Sequence, residues 1–231
     1  MIQGVIVAEK QHQVNESIRK NCYTVLSMLT NINLEYIVIL IVSILLSLTI
    51  HEFMHAYAGY LLGDHTAKAE GRLSLNPLSH IDPIMTVALP IATLVLFGAP
   101  ILAAKPVPLD PRNVKYEEFG AAILAAAGPL SNLVLAFLAA LAATAVAPGT
   151  FWADVLELFT VLNVALFIFN FLPIPPLDGS RVLYAFAPEP LQRLMVQLEP
   201  YGLLIIFGLI IVGGLGGFLT TLNTFVLNLL P

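Results

Sequence analysis

The sequence predicts an all-α polytopic membrane protein with about four to six transmembrane helices. Of its 231 residues, 58% are hydrophobic and 11% are charged, a composition well outside the soluble globular range. Uncharged stretches, most of them long enough to cross a bilayer, follow one another at residues 36–50, 83–104, 119–153, 158–177 and 200–231. These stretches lack the apolar and polar alternation of an outer-membrane barrel. The lipid bilayer is therefore a predicted partner.

The charge distribution and the single cysteine argue against a nucleic-acid-binding protein and against a disulfide-bonded or cysteine-rich metal-binding protein. The formal net charge of -5 is spread without acidic or basic blocks, so we expect no nucleic acid partner. One cysteine, Cys22, permits neither an intramolecular disulfide nor a cysteine-rich metal site. Residues 1–33 form a separate N-terminal segment without the pattern of a cleaved signal peptide. Residues 34–231 are predicted to form a single domain.

Secondary structure can be predicted from periodicity and from glycine and proline. A helix from Leu34 to about Leu62 ends at Gly63 as a C-cap. Residues 66–76 alternate apolar with polar, which predicts a strand or short β-hairpin next to the active site, with an edge that could hold substrate. The proline-rich stretch 83–104 is predicted to be re-entrant. Further helices are expected at about 116–147 and 153–171, with an amphipathic helix at 181–198 and either one long span or two short ones at 200–231.

The pentapeptide HEFMH, residues 51–55, places three ionisable groups in an apolar helix. Residues four apart on a helix project about 40° from each other, so His51 and His55 can reach one metal ion, with Glu52 beside it. A zinc hydrolase needs this arrangement, because two imidazoles hold the ion and a glutamate takes a proton from water. Each ionisable group at depth costs about 2.5 to 3.5 kcal/mol, which favours a functional site over polar residues snorkelling at a helix end.

A catalytic zinc site usually has three protein ligands, and HEFMH supplies two. The polar loop that follows contains Asp64, His65, Glu70 and His80, whose ordinary interpretation is as solvated loop residues. Asp178 differs from them, because no other acidic residue occurs between Leu158 and Ala187. From the residues alone it is either a metal ligand or a loop cap, since Asp-Gly is a common turn pair.

Three motifs in this order resemble the site-2 protease family of intramembrane zinc metalloproteases. They are HEFMH, then GPLSN at residues 128–132, then NFLPIPPLDG at residues 170–179. The resemblance covers a core of residues 34–183. Larger members insert a PDZ domain where this chain has only APGTFWAD, so the chain resembles the compact subgroup without one.

The resemblance implies a function and a set of site residues. It implies one zinc ion per chain, held by His51, His55 and Asp178, with Glu52 as general base. It implies that Asn170 and Asn132 bind the substrate backbone or assist transition-state charge. The substrate would be a transmembrane protein, cleaved by regulated intramembrane proteolysis.

A shared zinc site constrains the topology. HEFMH lies toward the C-terminal end of its helix and Asp178 follows the end of another, so both helices must run the same way and residues 83–104 must turn back. The loops at 64–82, 104–118 and 173–199 then share one side and hold seven of the ten lysines and arginines. The positive-inside rule makes that side cytoplasmic in the plasma membrane. If residues 83–104 crossed the membrane fully, eight basic residues would share one side. Charge alone therefore does not favour the re-entrant arrangement, and the need for one zinc site selects it.

Two other function classes use similar residues. A multi-span metal transporter would also have intramembrane histidines and an aspartate, but it needs a second polar path, which residues 119–153 and 200–231 do not offer. An inactive substrate-binding relative is a further alternative, and the intact HEFMH argues against it.

Overall fold

The computed structural model describes residues 34–88, 92 and 107–231, and this part of the chain is all-helical. Its α-helices are α1 (Leu34–Leu61), α2 (Thr66–Ala69), α3 (Glu117–Ala143), α4 (Phe151–Asn170), α5 (Asp178–Phe186), α6 (Glu189–Leu198), α7 (Gly202–Ile211) and α8 (Gly214–Leu227). Short 3-10 turns lie at Pro77–Ser79, Pro111–Asn113 and Glu199–Tyr201, and a π-helical turn lies at Pro83–Ala88. Residues 34–41 form the first two turns of α1, and Val42–Pro231 form one compact unit that contains all the candidate site residues.

Within the described residues, four helical segments are long and apolar enough to cross a membrane. They are Leu34–Leu61, Glu117–Ala143, Phe151–Asn170 and Glu189–Ile211, with the shorter apolar helix Leu215–Leu227 in addition. The chain is accordingly an integral membrane protein. The predicted number of about four to six spans agrees with these helices.

Helix α1 ends as its glycine predicts. Gly63 has a positive φ of 103°, its N–H donates to the carbonyl of Tyr60, and the N–H of Asp64 donates to the carbonyl of Gly59. These two bonds make a Schellman motif, which satisfies carbonyls that the helix end leaves without partners. The chain therefore turns sharply just after the segment that carries the two histidines.

Helix α3 is the centre of the packing and contacts α4 and α5. Its buried face is rich in alanine, including Ala136, Ala139 and Ala140, and small residues let neighbouring helices approach closely in a membrane. Val164 and Ile168 of α4 pack on Ala136, and side chains of α8 close the cluster. This packing fixes α3 and α4 side by side, so residues on their facing sides can form a shared site.

The predicted strand or hairpin at residues 66–76 is wrong for this part of the described chain. Residues 66–69 form the short helix α2, and residues 70–76 pair with no strand among the described residues. Asp64 accepts hydrogen bonds from the N–H and the hydroxyl of Thr66, which starts the helical turn, and Gly71 with a φ of 70° follows its end. The turn that the Asp64 side chain forms with Thr66 and the helix propensity of alanine and lysine outweigh the alternation.

Two other expectations are refined or corrected. The single amphipathic helix expected at 181–198 is wrong, because two helices, α5 and α6, meet at Ala187 and Pro188, where proline forces extended backbone on the residue before it. Residues 202–227 form two helices, α7 and α8, separated at Gly213, which has a φ of 77°. Most of the predicted re-entrant stretch, and all of the predicted N-terminal segment 1–33, lie outside the described residues.

Candidate metal centre

His51 and His55 lie one turn apart near the C-terminal end of α1, and both are buried. Their Nε2 atoms are 3.0 Å apart, and their rings are nearly perpendicular to each other. The helix brings them together because residues four apart are neighbours on one face. The predicted pairing of these two side chains is thus present in the structure.

Asp178 reaches the same point from the start of α5. Its Oδ2 atom lies 3.2 Å from Nε2 of His51 and 3.3 Å from Nε2 of His55. The next residue, Gly179, allows this approach, since a Cβ there would lie 2.2 Å from the carbonyl oxygen of Phe171 at the end of α4. Close packing of α5 on the end of α4 therefore aims Asp178 at the two histidines.

The donor set fits a zinc ion. Two imidazole nitrogens and one carboxylate oxygen, all within 4.8 Å of one another, are ligand types that zinc takes in catalytic sites, where a fourth position stays open. The Nδ1 atom of His51 lies 2.6 Å from Oδ1 of Asn132, and Nδ1 of His55 lies 2.8 Å from the carbonyl oxygen of Leu124. Both Nδ1 atoms face acceptors and so carry the proton, which leaves two Nε2 lone pairs and a carboxylate converging on one point. A single zinc ion would satisfy all three groups at once.

The GPLSN motif on α3 shapes this centre. A Cβ at Gly128 would lie 2.3 Å from Nε2 of His55 and 2.7 Å from Nε2 of His51, so only glycine leaves room for the converging nitrogens. Pro129 lies inside α3 and cannot donate to the carbonyl of Ala125, four residues before it. Asn132, the last residue of the motif, holds His51.

The remaining predicted residues occupy different positions. Glu52 is buried beside His51 on α1, and its carboxylate is not one of the three converging donors. Asn170 is half-buried at the end of α4, where its Nδ2 donates to the carbonyl of Leu166. Of the loop candidates, His80 is buried, with Nε2 2.7 Å from the carbonyl oxygen of Ser74, and Asp64 binds Thr66. None of these loop groups belongs to the cluster in the described residues.

Asn132, which the resemblance implies binds the substrate backbone or assists transition-state charge, lies inside the protein next to His51. It is fully buried, its Oδ1 accepts from His51, and its Nδ2 donates to Oδ1 of Asn163 at 2.9 Å and to the carbonyl of Ser47 at 3.4 Å. Its polar atoms are thus already bonded within the protein. Asn163 was not among the predicted site residues, although Asn163 and Asn170 are the two polar residues of the apolar second half of α4 and, seven residues apart, share a face.

Comparison with known proteins agrees with this centre. The model of peptidase family M50 matches residues 145–213. The chain is 36% identical to "Putative zinc metalloprotease YwhC" of Bacillus subtilis over 78% of this chain and 82% of that protein. It is 33% identical to "Putative zinc metalloprotease Rip2" of Mycolicibacterium smegmatis over 75% of this chain and 67% of that protein. It is 30% identical to the protein of the same name in Mycobacterium tuberculosis, over 78% and 69% respectively.

No solved structure matches the chain. The curated relatives match over most of both lengths, and the ligand types in the centre suit the metal in their names. On this evidence the chain belongs to peptidase family M50, the site-2 protease family, and is an integral membrane zinc metalloprotease.

Proposed function

We propose that this metalloprotease hydrolyses peptide bonds of transmembrane protein substrates, with zinc held by His51, His55 and Asp178. One observation carries the proposal: the three converging donors come from a buried face of α1, an apolar helix long enough to cross the bilayer, and from the residue that starts α5. A hydrolytic centre at that depth meets substrates that are themselves in the membrane. Ionisable residues in such a position are functional by default.

Zinc in this site would supply a Lewis acid that polarises the scissile carbonyl and acidifies water. We assign Glu52 as the general base: its carboxylate takes a proton from the attacking water and delivers it to the leaving amine. Asn170, eight residues before Asp178 at the end of α4, is proposed to bind the substrate backbone. Before any of this, a helical substrate must unwind locally, because its i to i−4 hydrogen bonds shield each peptide bond.

The re-entrant course of residues 83–104 is also part of the proposal. The N–H of Lys115 donates to the carbonyl of Leu62 at 2.9 Å, and the N–H of Asp110 donates to Oδ2 of Asp64 at 2.9 Å. The end of α1 and the segment before α3 are therefore adjacent, so the two ends of the proposed re-entrant stretch lie on the same side. This supports a turn within the bilayer rather than a full crossing.

We place the active site toward the cytoplasm of the plasma membrane. The side that holds the end of α1 and the start of α3 also carries a cleft of about 640 Å³, whose charged lining residues are Arg112, Glu117, Glu118, Arg181 and Glu199. Charged walls suit an aqueous face. In the proposed arrangement, the segments assigned to that side carry seven of the ten lysines and arginines, and the positive-inside rule assigns such a side to the cytoplasm.

Cleavage of a transmembrane peptide in liposomes tests the activity. Glu52→Gln should keep zinc bound and lower turnover by about 10²- to 10⁴-fold, the usual contribution of a general base. Glu157→Gln, the same change at an exposed position of α4, is the matched control and should cleave normally. If Glu52→Gln cleaves at the wild-type rate, the assignment of the base is wrong. Metal transport that persists in the Glu52→Gln protein would indicate a transporter instead.

Single-cysteine labelling tests the orientation in a Cys22→Ser background. A membrane-impermeant maleimide should label Pro148→Cys, in the turn between α3 and α4, from outside intact cells. It should label Gln192→Cys, on α6, only after the membrane is opened. The reverse pattern would invert the proposed topology.

A further inference from the structure

A chain of buried side-chain hydrogen bonds runs from α4 to His51. The Nδ2 atom of Asn163 donates to Oγ of Ser47 at 2.9 Å and to the carbonyl of Phe159 at 2.8 Å. Its Oδ1 accepts from Nδ2 of Asn132, whose own Oδ1 contacts Nδ1 of His51. Asn163, Asn132 and Ser47 each have no solvent-exposed surface. Fully satisfied polar networks of this kind rigidify the groups they join.

Two backbone carbonyls fix the direction of this chain. A carbonyl can only accept, so Phe159 requires the amide nitrogen of Asn163, and Ser47 requires the amide nitrogen of Asn132. Each asparagine is therefore left with its oxygen pointing toward the metal centre. The oxygen of Asn132 in turn requires a proton on Nδ1 of His51, which leaves Nε2 as the bare nitrogen that a metal needs.

The two histidines are held by different means. His55 donates directly to the backbone carbonyl of Leu124, an acceptor that no side-chain substitution can reverse. His51 depends on a side-chain amide, and a rotated amide would present a donor to its Nδ1 atom. The bond from Asn132 to the Ser47 carbonyl is long at 3.4 Å, whereas its bond to Asn163 is 2.9 Å. Asn163 is thus the stronger of the two constraints on the Asn132 amide.

We infer that Asn163, supported by Ser47, is a positioning residue that fixes the tautomer of His51 through Asn132 and so prepares the site for zinc. This inference rests on the proposed assignment of His51 as a zinc ligand. Partners of metal-bound histidines typically contribute about 10- to 100-fold to metal affinity. A positioning role differs from a purely structural role, because loss of Asn163 should lower zinc affinity and not only the stability of the fold.

The test compares two substitutions at position 163. Asn163→Leu replaces the amide oxygen and the amide nitrogen with methyl groups and keeps the branched shape. Asn163→Asp, neutral at this depth, retains an oxygen that accepts from Asn132 and an O–H that can donate. Zinc affinity is measured on metal-free protein by competition with a zinc-binding dye, and the ligand field is read from the visible absorption of the Co²⁺ form. We expect Asn163→Leu to bind zinc about tenfold more weakly with shifted Co²⁺ bands, and Asn163→Asp to resemble wild type.

Matched variants separate the possible causes. Thr160→Val removes a buried hydroxyl one turn away on α4, whose hydrogen bond among the described residues goes to its own helix at the Leu156 carbonyl, and should leave zinc affinity unchanged. Ser47→Ala should also weaken zinc binding, by on the order of threefold. This variant carries the test if Asn163→Leu fails to fold. Wild-type affinity and Co²⁺ bands in both Asn163→Leu and Ser47→Ala would overturn the inference.

A third substitution distinguishes failure of the inference from failure of the proposed function. His51→Phe should abolish high-affinity zinc binding. If it does so while the Asn163 and Ser47 variants bind normally, the positioning role is wrong and the ligand assignment stands. If His51→Phe binds zinc as tightly as wild type, the ligand assignment itself is wrong.

Discussion

Gly128 of α3 and His55 of α1 approach so closely that a Cβ at position 128 would lie 2.3 Å from the Nε2 atom of His55. Heavy atoms of this kind cannot come that near, so the glycine is part of the metal centre although it has no ligand atom. The segment of α3 from Leu124 to Asn132 thus acts in three ways. The Leu124 carbonyl accepts from His55, Gly128 leaves space for both rings, and the Asn132 amide oxygen contacts Nδ1 of His51.

Gly128→Ala should disrupt the centre. The added methyl group must displace the imidazoles or shift α3, and either change separates the ligand atoms. We expect zinc content to fall well below one per chain and cleavage to be lost, measured by metal analysis and a liposome assay. Gly208→Ala is the control, since a Cβ there meets nothing within 4 Å. That helical substitution should be neutral or stabilising by up to about 1 kcal/mol. Full zinc content in Gly128→Ala would contradict the account.

Gly179→Ala should act on the aspartate alone. A Cβ at this position meets the backbone of Phe171 and Leu172, so α5 must move away from α4 and carry Asp178 with it. Overpacking of this kind costs about 1 to 3 kcal/mol in the free energy of unfolding. The two histidines stay in place, so we expect weakened rather than abolished zinc binding, measured by dye competition. An unchanged zinc affinity would show that the position of α5 does not set the site.

Asp64 should make stability depend on pH. Burial favours its neutral form, but hydrogen bonds from the hydroxyl and N–H of Thr66 and from the N–H of Asp110 outweigh this and lower its pKa below the ordinary value. A carboxylate with a depressed folded pKa contributes stability that is present above the unfolded pKa, about 3.9, and is lost as pH falls through the folded pKa. The end of α1 should therefore loosen in acid.

Asp64→Asn isolates this effect. The new NH₂ group faces either the N–H of Asp110 or the Thr66 donors, so at pH 7 we expect a loss of about 1 to 3 kcal/mol in the free energy of unfolding. The difference from wild type should shrink below about pH 4. Unfolding of zinc-free protein in detergent measures it without metal loss. Glu70→Gln, exposed in the same loop, should change stability by less than about 0.5 kcal/mol. A difference that grows in acid would contradict the assignment.

The long helices and the proximity of His51 to His55 could be predicted from sequence, because both depend on residues close together along the chain. Apolar runs of sufficient length define α1, α3 and α4, and i, i+4 spacing puts the two histidines on one face. Gly63 marks the end of α1 because its effect on the backbone is intrinsic. The expected single helix at 181–198 overlooked the equally local effect of Pro188 on the residue before it. The strand predicted at 66–76 was wrong because alternation is a weak signal beside the turn that the hydrogen bonds from Thr66 to Asp64 impose.

What sequence could not predict depends on contacts between distant helices. Asn132 and His51 are 81 residues apart, and Asn163 and Ser47 are 116 residues apart, so their bonds require the packing of α1, α3 and α4. Composition marks such residues only as polar groups in apolar helices. Their partners, and therefore the difference between binding substrate and orienting a histidine, appear only when the helices are brought together.

The central claim is that one zinc ion is held jointly by His51, His55 and Asp178, and anomalous diffraction at the zinc edge tests it most directly. The account predicts one anomalous peak per chain, within about 2.3 Å of Nε2 of both histidines and of an Asp178 carboxylate oxygen. A zinc ion bound elsewhere, for example at His80, or one that lacks Asp178 as a ligand, would contradict the account.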